Sequence, residues 1–253
     1  MSVIGQFPDP FPELADDEVH VWKCSLQSDE GDVASRIAIL SADERKRANQ
    51  FKVERPRNQF IVTRSTLRFL IGKYLQSRPE QLEFEIAEHG KPHLRDSSGR
   101  LEFNVSHSHD LALFAFARFS PIGIDVEWLG RKVSHADVAK RFFSELEQEQ
   151  LNQLPEEDRQ RAFLECWTRK EAYLKARGFG LSRDPRTFSV PLSSDLNTRL
   201  LEDQADASAV QGWRIYPLQP EHHYCGATVV SVDSPDMKVI CQWQGNRGLL
   251  AHL

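Results

Sequence analysis

The stretch Trp167–Leu181, WTRKEAYLKARGFGL, is the strongest constraint on how this chain folds. It closes a long amphipathic helix that the spacing predicts from about 156 to 177. Phe163, Leu164, Trp167, Ala172 and Leu174 recur at helical intervals with charged residues between them. Gly178 follows the last periodic position and suits the left-handed residue that ends a helix, where glycine meets little steric penalty. Glu171 and Lys175 are four residues apart and share a helical face. On an open surface such a pair contributes only a few tenths of a kcal/mol. Beside a magnesium-bound phosphate it has another use, the carboxylate ligating the metal and the ammonium covering phosphate charge.

The chain has 253 residues, 40% of them hydrophobic, and a formal net charge of -5. That length supports a sizeable core in one large domain or two small ones. No apolar run reaches the ~20 residues of a membrane span. The N-terminal MSVIGQFPDPFPEL has neither a basic nor an apolar signal-peptide region. Cys24, Cys166, Cys225 and Cys241 are far apart and form no C-x-x-C pair. They indicate reduced thiols in a cytoplasmic protein, not zinc ligands or a disulfide framework. The mild acidity argues against a general nucleic-acid binder.

Residues 1–18 are rich in proline and acid and predict an extended lead-in. A strand is predicted over Val19–Leu26, then a helix over Ser41–Gln50 with Ser41 and Glu44 at capping-box spacing. A longer helix is expected from Arg57 to about Gln76, then strands at Leu82–Glu88, Leu101–Ser108 and Leu111–Phe119. The second half repeats this order. A strand at Pro121–Leu129 precedes helical stretches near Ala136–Phe142 and Glu145–Leu154 and the long helix. Strands follow at Arg186–Leu192, Gly212–Leu218 and Tyr224–Val232, with a closing strand at Lys238–Trp243 and a loop at Ser193–Gln211. The repeat is one of pattern, not of letters. It predicts an α+β fold of two similar lobes related by a pseudo-twofold, each a small, mostly antiparallel sheet packed on helices. The lobes meet near residue 120, and a cleft between them is the expected ligand site.

Asp125 and Glu127, in GIDVE, lie two apart on a predicted strand, so their carboxylates project together while Ile124 and Val126 face the core. Adjacent like charges are unfavourable unless a cation sits between them, and oxygen-only ligands suit Mg²⁺ or Mn²⁺. Two solvated acids on an edge strand fit the letters equally well. In FNVSHSHD, Ser106 and His107 at a strand end could hold phosphate. The same stretch admits a transition-metal site at His107, His109 and Asp110, or a plain polar turn. Arg57, Arg64, Arg68 and Lys91 suit a ligand with several phosphates if one cleft collects them, and are otherwise solvated surface cations. The sequence has no P-loop, G-x-G-x-x-G, G-x-S-x-G or H-E-x-x-H pattern.

Taken in order, HGKP (His89–Pro92), FNVSHS (Phe103–Ser108), PIGIDVE (Pro121–Glu127), RFFSELE (Arg141–Glu147) and WTRKEAYLKARGFGL (Trp167–Leu181) resemble the 4′-phosphopantetheinyl transferases of the surfactin-synthetase type. Each motif alone is weak, but the ordered set is highly specific. The length suits the two-lobed monomeric type and not the short trimeric one. The resemblance implies transfer of the phosphopantetheine arm of coenzyme A to a serine of an acyl or peptidyl carrier protein, releasing adenosine 3′,5′-bisphosphate. It further implies residues 1–119 as a CoA-binding lobe and 120–253 as the lobe carrying the metal ligands and catalytic helix. By motif position Asp125, Glu127 and Glu171 would bind Mg²⁺ or Mn²⁺, and Lys175 would contact the CoA pyrophosphate. Ser106 and His107 would hold CoA phosphates, Lys91 would lie near the adenosine end, and Arg47 would be a first-lobe contact. Glu44 stands where the family has a familiar lysine. Glu171 is the first candidate for the base that accepts the serine proton and Asp125 the second. Trp128, Leu129, Arg131, Lys132 and Arg141–Phe143 are the expected carrier-docking residues, with core packing the alternative for Phe142 and Phe143. Two rival functions remain in view: a non-catalytic CoA- or nucleotide-binding module of the same fold, and a zinc hydrolase using His107, His109 and Asp110.

Overall fold

A computed structural model describes residues 8, 10–87, 90–95, 101–131, 134–192, 199–232, 237–243 and 246–250. In the first half, β1 (Glu18–Ser25) is followed by α1 (Glu30–Ile37), α2 (Ala42–Ala48) and α3 (Glu54–Leu75). Strands β2 (Phe84–Ile86), β3 (Pro92–Leu94), β4 (Glu102–Ser108) and β5 (Leu111–Ala117) complete it. The second half runs β6 (Ile122–Trp128), α4 (His135–Phe142), α5 (Glu145–Gln153) and α6 (Glu156–Arg177). Then come β7 (Phe188–Ser189), β8 (Glu202–Asp203), α7 (Ala209–Gly212), β9 (Trp213–Leu218), β10 (Tyr224–Ser231), β11 (Lys238–Trp243) and β12 (Asn246–Leu250).

This is the expected α+β fold of two sheet-and-helix lobes. One sheet has five strands in the order β12-β11-β1-β5-β4, and the other three in the order β6-β10-β9. All pairings in them are antiparallel except β1 with β11, which is parallel. Strand β5, LALFAFA, explains the layering. It is buried along its whole length, as a strand covered on both faces must be. Ala112, Phe114 and Phe116 pack towards α3 with Leu67, Leu70 and Ile71. Leu111, Leu113, Ala115 and Ala117 pack on the other side against Ile122, Ile124 and Val126 of β6. Behind the second sheet, Phe163, Ala172, Leu174 and Ala176 of α6 pack on Ala227 and Val229 of β10. The order is therefore α3, first sheet, second sheet, α6, with a sheet-on-sheet core in the middle.

The long helices end as their sequences dictate. Gly178 caps α6 in the left-handed region at φ 68°, its N–H returning to the carbonyls of Leu174 and Lys175. Ser41 and Ser144 form complete capping boxes with Glu44 and Glu147. Several features differ from expectation, among them β3, which forms within a stretch expected to be a turn, and β12. Helix α1 is formed by a segment that lacks a long apolar repeat, started by Asp29, whose side chain accepts from the Asp32 amide. The strand expected over Arg186–Leu192 shrinks to Phe188–Ser189, because the chain turns around Asp184 and the buried Glu147 then takes the Val190 N–H. The expected loop at Ser193–Gln211 holds β8 and most of α7, while residues 193–198 lie outside the described ones.

Candidate active site

Strand β6 alternates between two environments. Ile122, Ile124 and Val126 face the first sheet, so Gly123, Asp125 and Glu127 face α6. The two carboxylates project together as expected, but not into solvent: Asp125 is 6% exposed and Glu127 8%. Gly123 permits this. A Cβ there would meet the Ala172 carbonyl oxygen at 2.0 Å and the Ala176 nitrogen at 2.4 Å. The helix backbone lies against the strand, one turn placing Glu171 and Lys175 near Asp125.

Lys175 is the hub. Its Nζ donates to Asp125 Oδ1 at 2.6 Å, to Ser106 Oγ at 3.1 Å and to the Ile124 carbonyl at 3.1 Å. Ser106 Oγ in turn donates to Asp125 Oδ1 at 2.7 Å. Glu127 accepts from Ser108 Oγ at 2.9 Å and from the Arg131 guanidinium at 2.8 Å. Glu171 is half-buried, with no hydrogen bond or ion pair to any described residue. Burial raises its carboxyl above the ordinary range, and the Asp125 charge adds to this while Lys175 opposes it. Glu127 is also raised, first by burial and then by Asp125, against the Ser108 hydrogen bond and Arg131. His107 is exposed, yet desolvation of its ring and the Lys175 charge lower its proton affinity, with Asp125 opposing.

The geometry thus joins Ser106, Asp125 and Lys175 directly, with Glu127, Glu171 and His107 coupled to them through charge. Lys91 reaches the same strand, donating to the Ile122 carbonyl at 2.9 Å, and its burial lowers its proton affinity. Arg47 is exposed on α2 with its guanidinium 5.4 Å from the Phe60 ring centre. The arginine helix is not a free phosphate cradle. Glu44 accepts from Arg64 at 2.6 Å and from Arg68 at 2.5 Å, and Arg68 is only 2% exposed. The acid at the familiar lysine position therefore neutralises two cations on α3. His89 and Lys132 lie outside the described residues.

The histidine pair does not form a strand-face site. His109 falls in the turn after β4 with φ 52° and stacks on Trp128 at 4.3 Å. Asp110 is held by Arg55 at 2.8 Å and Gln27 at 3.1 Å. Among the expected docking residues, Phe143 is wholly buried core, Phe142 packs edge-on to Trp167, and the Arg131 side chain is 56% exposed. Sequence reasoning missed Asn104 and Ser108, which bind β6 from β4: Asn104 Oδ1 accepts the Ile124 N–H at 2.9 Å, and Ser108 Oγ the Trp128 N–H at 3.1 Å. The i, i+2, i+4 spacing of Asn104, Ser106 and Ser108 was the available signal.

Among the described residues no three side chains converge closely enough to chelate a metal as they stand. The donor set nonetheless fits a hard cation. Asp125 Oδ2 is buried without a hydrogen-bond partner, Glu171 is unpaired among the described residues, and burial and the Asp125 charge raise both glutamate carboxyls above their ordinary range. A divalent ion would supply the charge this cluster of acids lacks.

Comparison with known proteins agrees with the motif order. The description "4′-phosphopantetheinyl transferase superfamily" belongs to the family profile that matches residues 121–229, and "4′-phosphopantetheinyl transferase, N-terminal" to the one that matches 22–118. The 4′-phosphopantetheinyl transferase HetI of Nostoc sp. is 42% identical over 172 residues, covering 67% of this chain and 73% of that protein. The 4′-phosphopantetheinyl transferase Sfp of Bacillus subtilis is 30% identical over 159 residues, covering 63% of this chain and 69% of its own. The matches span both lobes and the strand and helix that carry Asp125, Glu127, Glu171 and Lys175, so the chain belongs to the 4′-phosphopantetheinyl transferases.

Proposed function

We propose that this chain transfers the 4′-phosphopantetheine arm of coenzyme A to a serine hydroxyl of an acyl or peptidyl carrier protein. One observation carries the site assignment: Lys175 of α6 is clamped to Asp125 of β6 beside a buried, unpartnered carboxylate oxygen. The serine oxygen bonds to the phosphorus that bears the pantetheine arm. The bond from that phosphorus to the bridging oxygen breaks, and adenosine 3′,5′-bisphosphate leaves with the electron pair.

Asp125, Glu127 and Glu171 would hold Mg²⁺ or Mn²⁺, which when bound neutralises pyrophosphate charge. Lys175 contacts the same pyrophosphate and stabilises the negative charge that builds on the leaving oxygen. Glu171 accepts the serine proton, directly or through a water. Its raised proton affinity makes it a stronger base than an ordinary carboxylate. Asp125 is the second candidate, but its Oδ1 is already occupied by Lys175 and Ser106. Ser106 and His107 face the coenzyme A phosphates, Lys91 the adenosine end, and Arg47 extends the anion-binding edge of the first lobe. The lobe division falls at residues 1–119 and 120–253, with β11 and β12 strapped back onto the first sheet. Arg131, Trp128 and Leu129 form the docking edge for an acidic carrier. The protein works as a cytoplasmic monomer. No described helix is long and apolar enough to cross a membrane. The four cysteines are free and buried.

The test is mass spectrometry of an apo carrier protein incubated with this protein, coenzyme A and Mg²⁺. The expected result is a gain of one phosphopantetheine arm on the carrier serine, lost with EDTA and in Glu171→Ala. Coenzyme A binding without any mass gain on fatty-acid, polyketide or peptide carriers would favour a binding module instead. Glu171→Gln with full turnover would refute the base assignment.

A further inference from the structure

Strands β4 and β6 are the edges of different sheets, and between them side chains stand where backbone hydrogen bonds would otherwise run. Alternate residues of β4 all turn to β6. Asn104 takes the Ile124 amide at 2.9 Å, Ser106 the Asp125 carboxylate at 2.7 Å, and Ser108 the Trp128 amide at 3.1 Å. Ser108 differs from Asn104 in doing two things with one hydroxyl. It accepts from the Trp128 amide and donates to Glu127 Oε2 at 2.9 Å. A hydroxyl has one proton, so accepting from the amide directs that proton to the carboxylate. Arg131 holds the other carboxylate oxygen, Oε1, at 2.8 Å, but from a side chain 56% exposed. Ser108 is thus the strand-borne restraint on Glu127, and Arg131 the solvent-exposed one.

We propose that Ser108 is a positioning residue for phosphopantetheine transfer: its hydroxyl couples the register of the two lobes to the orientation of the Glu127 carboxylate. The proposal rests on the transferase reading and on Glu127 as a cation ligand. A carboxylate held at one oxygen by a strand-fixed donor presents its remaining lone pairs in one direction, as partners of metal ligands generally do.

The experiment compares the full-length chain with Ser108→Ala, Ser108→Thr and Asn104→Ala. Mn²⁺ is titrated in the presence of coenzyme A and followed by electron paramagnetic resonance, alongside kcat and the KM for coenzyme A. Ser108→Ala should weaken Mn²⁺ binding and lower kcat by about tenfold each, leaving KM within about twofold. Ser108→Thr, which keeps the hydroxyl, should restore both. Asn104→Ala removes the sister bridge without touching a carboxylate, so it should lower the melting temperature and leave Mn²⁺ affinity unchanged. If Ser108→Ala does not fold, Ser108→Cys keeps the side-chain volume with only a weak donor and should show the same shift. Mn²⁺ affinity within about twofold of the parent in Ser108→Ala or Ser108→Cys, an equal shift in Asn104→Ala, or no Mn²⁺ binding by the parent overturns the proposal. A parent that binds Mn²⁺ and coenzyme A but modifies no carrier refutes the transferase reading alone, and the Mn²⁺ titration still decides the role of Ser108.

Discussion

Gly123→Ala tests the joint between strand and helix on which the whole site depends. The new methyl would sit 2.0 Å from the Ala172 carbonyl oxygen, 2.4 Å from the Ala176 nitrogen and 3.0 Å from the Ala176 Cα. All three are backbone atoms of α6, so no side-chain rotation relieves the clash. To regain ordinary contact the helix must retreat by roughly 1.4 Å, and overpacking of this kind costs about 1–3 kcal/mol. Because the obstruction is backbone, the upper end applies. With a urea slope of about 3 kcal/mol per molar, the unfolding midpoint should fall by about 1 M. The same retreat carries Glu171 and Lys175 away from Asp125, and a misplacement of about 1 Å can lower turnover about 100-fold. Urea unfolding followed by tryptophan fluorescence, with carrier modification measured at saturating coenzyme A, reads both effects. Gly178→Ala is the control. That residue has φ 68° but no atom within 4 Å of a Cβ, so it should lose only about 1 kcal/mol. A Gly123→Ala protein with parental midpoint and parental kcat would refute the packing argument.

Lys170→Met should be among the most destabilising single changes. Lys170 Nζ donates to both Glu147 oxygens, at 2.8 and 2.7 Å, and to the Phe188 carbonyl, with Glu147 fully buried. Stranding that carboxylate should cost about 3–5 kcal/mol in denaturant unfolding, and a loss below about 1 kcal/mol would show that the pair is dispensable. Lys175→Ala should lower kcat/KM by about 100-fold or more while the folded far-ultraviolet spectrum is kept, since a pre-positioned charge at the leaving oxygen is lost. The third concerns pH. Burial would raise the Glu44 carboxyl, but hydrogen bonds from Arg68 and the Ser41 amide and the Arg64 charge outweigh it, leaving it below its ordinary value of 4.5. A depressed carboxylate contributes stability in full above the unfolded value, and loses it as pH falls through the folded one. The parent should therefore lose stability faster than Glu44→Gln below about pH 4.5, and parallel unfolding midpoints from pH 6 to 3 would refute this.

Much of the fold was legible because its signals are local. The apolar repeat and Gly178 marked α6, the Ser41 cap marked the start of α2, and the apolar run LALFAFA marked a strand. The misses came where local signal was absent. Helix α1 is short, and in Arg186–Leu192 the Val190 amide is taken by the side chain of Glu147, a residue 43 positions away. The pairing of Lys238–Trp243 with β1 joins residues about 220 apart, a distance no periodicity records. The basic residues illustrate the same limit. Arg64 and Arg68 have the composition of a phosphate site, but the structure pairs both with Glu44.

For the site, the letters alone determined residue types and faces. Asp125 and Glu127 project together because a strand has period two, and Glu171 and Lys175 share a face because a helix has period 3.6. Only the tertiary structure decided that these faces meet, and on what terms. The absence of a Cβ at Gly123 lets α6 lie against β6, and the first sheet covers the carboxylates with Ser106 and Ser108. Burial then raises the Glu127 and Glu171 carboxyls above their ordinary range and leaves Asp125 Oδ2 without a partner. Proton affinity and charge compensation depend on solvent exclusion and on neighbours brought from distant parts of the chain, and these exist only once the layers have packed.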